Sequence, residues 1–127
     1  MKPRTLTIFR LLFVSAFVGI TVLSVVPAPT LPGMESDKLS HLAAYMILTL
    51  LLVPSLAGEK VVPPGLLLAV AGVLVYGAGI EVLQHFIGRQ FDLRDMAANA
   101  AGVLLGIAAG LLLRRAISWR RKGRESR

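Results

Sequence analysis

Four long apolar stretches constrain this chain more than any other feature of its sequence. They cover about residues 8–26, 39–56, 64–87 and 96–113, and each approaches the roughly 20 residues that a helix needs to cross a hydrocarbon core. Because hydrocarbon offers the backbone no water, such stretches cross it as helices. Hydrophobic residues make up 55% of the chain and charged residues only 17%. The pattern predicts an all-α membrane protein with four transmembrane helices in a single domain, residues 1–127.

The beginning of the chain needs a separate interpretation. "MKPRTLTIFR", followed by an apolar run and "PAP", resembles a secretory signal peptide. The run is longer than a signal core, and three more apolar stretches follow it. We therefore expect an uncleaved first helix.

Basic residues are divided unevenly between the two sides of the predicted membrane. With four spans, both termini and the connection at residues 57–63 share one side. That side carries eleven of the 14 basic residues: Lys2, Arg4, Arg10, Lys60 and seven in the tail after Leu113. The other side carries three: Lys38, Arg89 and Arg94. The excess of lysine and arginine predicts that both termini are cytoplasmic.

The basic tail, residues 114–127, permits two interpretations. It could bind nucleic acid, but the apolar chain before it favours an anchor that faces anionic lipid headgroups. We expect no nucleic-acid partner, and we expect the tail to be disordered beyond Trp119.

Several kinds of chemistry are excluded or disfavoured. The chain has no cysteine, which excludes disulfides, thiolate catalysis and zinc ribbons. It has no H-E-x-x-H pattern, no serine nucleophile elbow and no glycine-rich phosphate loop. A hard ion could be held by Asp37, His41, Glu81 and Asp95, but these ligands would have to come from separate helices. The sequence therefore predicts no cofactor and no metal.

Polar side chains nevertheless recur near one end of three spans. At about 1.5 Å per residue, Glu81 lies about 9 Å inside the end of the third span, and His41 and Asn99 lie about 6 Å inside the second and fourth helices if these begin near Asp37 and Asp95. An ionisable side chain at such depth costs several kcal/mol unless it is paired or hydrated. The shared depth predicts that these residues converge in one outward-facing site.

The spacing of the polar residues agrees with helix faces. Asp37, His41 and Tyr45 share one face of the second helix, and Glu81, Gln84 and His85 lie together on the third. Gln84, one turn from Glu81, is expected to orient a neighbour by hydrogen bonding. One face of the fourth helix carries polar side chains at one end and glycines along the rest of its length. The members of this stripe are Asp95, Asn99, Gly102, Gly106 and Gly110. The glycines would let a neighbouring helix approach closely, and they leave self-association open.

Structural explanations compete with a functional site. Asp92 and Asp95 stand three apart and could simply cap the fourth helix. Asn99 and Gln84 could only link helices through hydrogen bonds. Tyr45 could only pack a core, and His85 could face headgroups.

Two blocks of sequence, "DKLSHLAAY" and "EVLQHFIGRQFDLRDMAANAAGVLLG", resemble the VanZ-like family. The residues that carry the resemblance are Asp37, Lys38, His41, Tyr45, Glu81, Gln84, Arg89, Asp92, Asp95, Asn99, Gly102 and Gly106. The resemblance implies a small protein of the bacterial plasma membrane. The family's name-giving member is an accessory factor in low-level resistance to teicoplanin, which acts on cell-wall precursors.

Three classes of function remain open. A non-catalytic factor would bind an anionic lipid, a cell-wall precursor headgroup or a partner, and this class is favoured. An enzyme on an envelope lipid would use Glu81 or Asp95 as general base and His41 as proton carrier. A transporter would require oligomers. The expected binding residues are Asp37, Lys38, His41, Glu81, Gln84, Arg89, Asp92, Asp95 and Asn99.

Overall fold

The computed structural model describes residues 3–26, 37–56, 63–87 and 93–125, and within these ranges every regular element is a helix. The elements are α1 (Pro3–Val25), α2 (Asp37–Ser55), α3 (Pro63–Phe86) and α4 (Leu93–Glu125). All four are long and apolar enough to cross a membrane. For the described residues, the prediction of an all-α chain with four helices of spanning length is confirmed.

The helix bounds differ from the predicted spans mainly at polar ends. α1 begins at Pro3 rather than near residue 8, because proline is well suited to the first position of a helix. α4 continues to Glu125, so the expectation of disorder beyond Trp119 is wrong as far as that residue. Arginine, lysine and glutamate are good helix formers, and extending an existing helix needs no new nucleation.

The core is built around α2, which packs along α4 and also contacts α1 and α3. Tyr45, Leu48 and Leu52 of α2 form a buried cluster with Val73 of α3 and Val103 of α4. α1 has no buried residue and lies against this cluster from one side. The fold therefore centres on the α2–α4 pair.

Three glycines of α4 make that pairing close. A Cβ atom on Gly106 would lie 2.6 Å from the carbonyl oxygen of Met46, and one on Gly110 would lie 2.8 Å from Cβ of Val53. A Cβ on Gly102 would overlap the carbonyl oxygen of Leu42. We call this stripe, Gly102, Gly106 and Gly110, the glycine seam. It faces α2 of the same chain, so it is not available to a second copy in the way that the sequence left open.

Large apolar side chains cover the outer surface of all four helices. More than two thirds of the side chain is exposed at Leu23 of α1, Leu68 of α3 and Leu112 of α4, and the exposed fraction of Leu39 in α2 is 67%. Water would penalise such a surface, whereas lipid tails are as apolar as the side chains. The exposed surface and the helix lengths together fit a multi-pass membrane protein.

Two polar side chains hold α1 against the bundle, one at each end. Nε of Arg10 donates a hydrogen bond to the carbonyl oxygen of Ser55 at 3.2 Å, and Nε2 of Gln84 donates one to that of Ser24 at 3.0 Å. Both carbonyls belong to the last turn of a helix, where no intrahelical donor remains. These bonds satisfy backbone groups that lipid would leave without a partner.

Candidate functional site

The candidate site lies where α1 and α3 end and where α2 and α4 begin, which we call the site end of the bundle. Four polar side chains from three helices meet there, and each exposes less than a tenth of its surface. They are His41 of α2, Glu81 of α3, and Asp95 and Asn99 of α4. We call these four residues the polar cluster. Their convergence agrees with the shared depth that the sequence predicted for Glu81, His41 and Asn99.

His41 is the centre of the polar cluster. Its Nδ1 lies 3.0 Å from Oδ1 of Asn99 and 3.6 Å from Oε1 of Glu81, while its Nε2 lies 3.9 Å from Oδ2 of Asp95. Because an amide oxygen only accepts hydrogen bonds, Nδ1 is the donor to Asn99. In the neutral ring this leaves Nε2, with its lone pair, as the nitrogen nearer Asp95.

The glycine seam explains why α4 reaches His41. Asp95, Asn99 and Gly102 follow one another on the same face of α4. Gly102 brings this face onto the backbone of α2 at Leu42, the residue next to His41. A larger residue at position 102 would separate the two helices and draw Asn99 away from the imidazole. The seam therefore belongs to the same arrangement as the site.

α3 is placed by a second glycine contact, one turn deeper than Glu81. A Cβ on Gly77 would lie 3.0 Å from the hydroxyl oxygen of Tyr45, so the tyrosine ring rests on the α3 backbone. Tyr45 follows His41 by four residues, and Glu81 follows Gly77 by four. The Tyr45–Gly77 contact thus sets the register that brings Glu81 level with His41.

A cavity of about 180 Å³ adjoins the polar cluster between α1, α2 and α3. Its polar lining consists of Ser24, Ser40, His41, Tyr45 and Gln84, and the rest of its wall is apolar. The Tyr45 hydroxyl is buried and has no hydrogen-bond partner among the described residues. The cavity has room for several water molecules, or for a small polar group, beside these donors and acceptors.

Charge restricts what the polar cluster can do. A ring nitrogen of His41, an oxygen of Glu81 and an oxygen of Asp95 all lie within 4.8 Å of one another. Two ionised carboxylates so close together in a medium of low dielectric constant require protons or a cation to balance them. The arrangement can therefore bind a proton or a cation, and it can exchange hydrogen bonds with a ligand in the cavity.

The structure brings together only part of the predicted site. Lys38 lies exposed in the first turn of α2, and His85 is exposed beside the ring of Phe86. Asp37 is the first residue of α2, but its side chain lies outside the described part of the structure. Arg89 and Asp92 also lie outside the described residues.

The sequence left the role of Gln84 open, and it did not indicate two serines of the site. Gln84 is buried, and its side-chain amide donates a hydrogen bond to the backbone of α1, so it links helices, which is one of the two roles that the sequence offered. The serines of the cavity, Ser24 and Ser40, were missed. Serine is common at helix ends for purely local reasons, so nothing in their spacing marked them.

No protein-family model, curated protein or solved structure matched the chain. The resemblance to the VanZ-like family therefore rests on the two sequence blocks that enclose the polar cluster.

Proposed function

We propose that the protein is a VanZ-like accessory factor of the bacterial plasma membrane, active in the envelope or in resistance to teicoplanin-type glycopeptides. In this role it binds the headgroup of an anionic lipid or of a lipid-linked cell-wall precursor at the site end. One observation carries the proposal: three helices deliver four buried polar side chains to one point beside a partly polar cavity. Burial of so many polar groups in lipid is costly unless they serve a ligand or one another.

The charges around the site end favour a headgroup that carries a phosphate. Lys38 and Arg94 are exposed in the first turns of α2 and α4, at the same end of the bundle as the polar cluster. Helix N-termini attract anions through their dipoles and unpaired amides, and two helices begin at this end. A phosphate at this end would leave the neighbouring hydroxyl, amine or amide groups of the headgroup to enter the cavity.

The division of basic residues supports an outward-facing site. The eleven basic residues on the side of the termini face the cytoplasm under the positive-inside rule, which turns the site end towards the outer leaflet.

Native mass spectrometry of the purified full-length protein tests the proposal. We would offer equal amounts of phosphatidylglycerol, phosphatidylethanolamine and a polyprenyl-linked cell-wall precursor. We expect the wild type to retain the precursor or the anionic lipid and Asn99→Ala to lose it, while Gly123→Ala, at the far end of α4, keeps it. Equal retention of all three lipids by every variant would contradict the proposal.

A second candidate is a membrane enzyme that acts on an envelope lipid, and the position of His41 favours it. The imidazole lies between Glu81 at 3.6 Å and Asp95 at 3.9 Å, which suits a relay for general acid–base catalysis. Lipid extracts from cells that express the protein would then contain an altered lipid species. The species should be absent with Glu81→Gln, and an unchanged lipid profile would argue for binding without catalysis.

A further inference from the structure

The donor atoms of the polar cluster suggest a ligand of their own. We propose that His41, Glu81 and Asp95 bind a divalent transition-metal ion, with Zn²⁺ and Mn²⁺ as the ions of matching chemistry. The sequence disfavoured a metal because the ligands come from three different helices. The fold removes that objection by bringing their donor atoms within 4.8 Å of one another.

The separation of the donor atoms is close to what one ion requires. Bonds from Zn²⁺ to nitrogen and oxygen ligands measure about 2.0 to 2.2 Å, so two ligand atoms of a tetrahedral ion lie about 3.4 Å apart. The three donor atoms lie within 4.8 Å of one another, so closure onto one tetrahedral ion shortens their widest spacing by at most about 1.4 Å. A carboxylate oxygen moves by such a distance when its side chain rotates, so the proposal requires rotation of Glu81 and Asp95 and no movement of the helices.

The types of donor select the class of metal. Imidazole favours first-row transition ions, whereas magnesium and calcium prefer sites made of oxygen alone. One imidazole with two carboxylates is a mixed set that suits Zn²⁺ or Mn²⁺. Asn99 supplies the hydrogen bond that ligating histidines commonly make through their other ring nitrogen. Asn99 is thus a positioning residue that orients the imidazole.

The balance of charge also favours a divalent ion. Glu81 exposes 1% of its surface and Asp95 7%, so water does little to screen their charges. A divalent ion among the three side chains carries enough charge to balance both carboxylates, whereas a proton on His41 balances one.

The cavity provides an independent indication of a ligand. Tyr45 is 98% buried, and its hydroxyl has no hydrogen-bond partner among the described residues. Tyr45 and His41 both line the cavity. Three protein ligands leave at least one coordination position of the ion for water. A water molecule on the ion could accept or donate a hydrogen bond at this cavity wall, which would satisfy a polar group that the helices alone do not.

This inference stands apart from headgroup binding, because it concerns only the ion and the side chains. The test uses the full-length protein, purified in detergent and stripped with a chelator, and titrates it with Zn²⁺ and separately with Mn²⁺ by calorimetry. Elemental analysis after desalting gives the stoichiometry. We expect about one ion per chain for the wild type.

Variants decide whether the polar cluster holds the ion. Glu81→Gln and Asp95→Asn should reduce the bound metal to background, while Glu125→Gln, the same kind of substitution at the last residue of α4, should keep it. If the first two do not fold by circular dichroism, Asn99→Ala decides, with an expected 10- to 100-fold loss of affinity.

Two results would overturn the metal site: no binding by the wild type at micromolar metal, or unchanged affinity in folded Glu81→Gln and Asp95→Asn, with Asn99→Ala taking their place if neither folds. Headgroup retention in native mass spectrometry is measured independently, so either proposal can fail while the other stands.

Discussion

At the scale of single residues, His41 connects three helices through three polar neighbours. The hydrogen bond to Asn99 fixes the ring, and the two carboxylates lie on its two nitrogen sides. Helix capping and the helix dipole explain less of this arrangement than a shared role of the four side chains does. Asp95 lies in the first turn of α4, where an acidic residue is favourable, but a residue that only served the helix dipole would gain nothing from being 93% buried.

The first residue-scale prediction separates charge from helix capping. Glu81→Gln keeps the size and hydrogen-bonding capacity of the side chain while removing its charge, and asparagine caps a helix about as well as aspartate. We expect Glu81→Gln and Asp95→Asn each to abolish the envelope or glycopeptide-resistance phenotype at unchanged abundance in the membrane. The measurement is teicoplanin susceptibility with immunoblotting of membranes. Full activity in both variants would reduce the polar cluster to helix packing.

The second residue-scale prediction compares two tyrosines that share the same core. The Tyr45 hydroxyl is buried without a hydrogen-bond partner among the described residues, whereas the Tyr76 hydroxyl lies 2.8 Å from Oγ1 of Thr21. In protein stripped of ligands, Tyr45→Phe should raise the free energy of unfolding by about 1 kcal/mol and Tyr76→Phe should lower it by a similar amount. Thermal unfolding in detergent measures both. Equal destabilisation by the two changes would show that the Tyr45 hydroxyl is hydrogen-bonded.

At the scale of helices, the sequence predicts the number of elements and their faces well. Length and hydropathy suffice to find four helices, because lipid forces the backbone to satisfy its own hydrogen bonds. The stripe from Asp95 to Gly110 correctly indicated the packing face of α4, but not that α2 of the same chain would occupy it. Which helix pairs with which depends on the whole bundle, and periodicity within one helix carries no information about it.

The ends of the helices were harder to predict for a related reason. Hydropathy reports where lipid ends, whereas a helix can continue into water if its residues favour it. α4 remains helical through its basic segment, where the guanidinium of Arg115 lies 5.0 Å from the ring centre of Trp119, one turn further on. Arginine and tryptophan in this arrangement suit a membrane interface.

The glycine seam gives a prediction at the scale of helices. Gly106→Ala would place a methyl group 2.6 Å from the carbonyl oxygen of Met46 and 2.7 Å from Cβ of Thr49, so α2 and α4 would have to separate. We expect a loss of about 1 to 3 kcal/mol in the free energy of unfolding. Gly79→Ala in α3 is the control, because its new Cβ meets nothing within 4 Å, and alanine's higher helix propensity should make it neutral or stabilising. Similar unfolding temperatures for the two variants would contradict the close packing of the seam.

At the scale of the whole molecule, the bundle has two chemically different ends. One end collects the polar cluster and the first turns of α2 and α4, whereas the other leads through α4 into the basic tail. Between them lies an apolar belt with large exposed side chains on every helix. Such a molecule can present its polar cluster to only one side of a membrane, so the direction of insertion decides which ligands can reach the site.

The last prediction concerns that direction. The eleven-to-three division of basic residues predicts cytoplasmic termini and an outward-facing site end. Alkaline phosphatase fused after Gly33 or after Gln90, in the connections on the site side, should be active because it folds only outside the cytoplasm. Fusion after Gly58, in the connection on the opposite side, should be inactive, and a reporter active only in the cytoplasm should give the reverse pattern at all three positions.

The two reporters control for differences in expression between the fusions. Each fusion position must be active with one reporter and inactive with the other. Activity at Gly58 with silence at Gln90 would turn the polar cluster towards the cytoplasm. An outer-leaflet headgroup could then not reach His41, whereas a metal ion still could, so this experiment also separates the two proposed ligands.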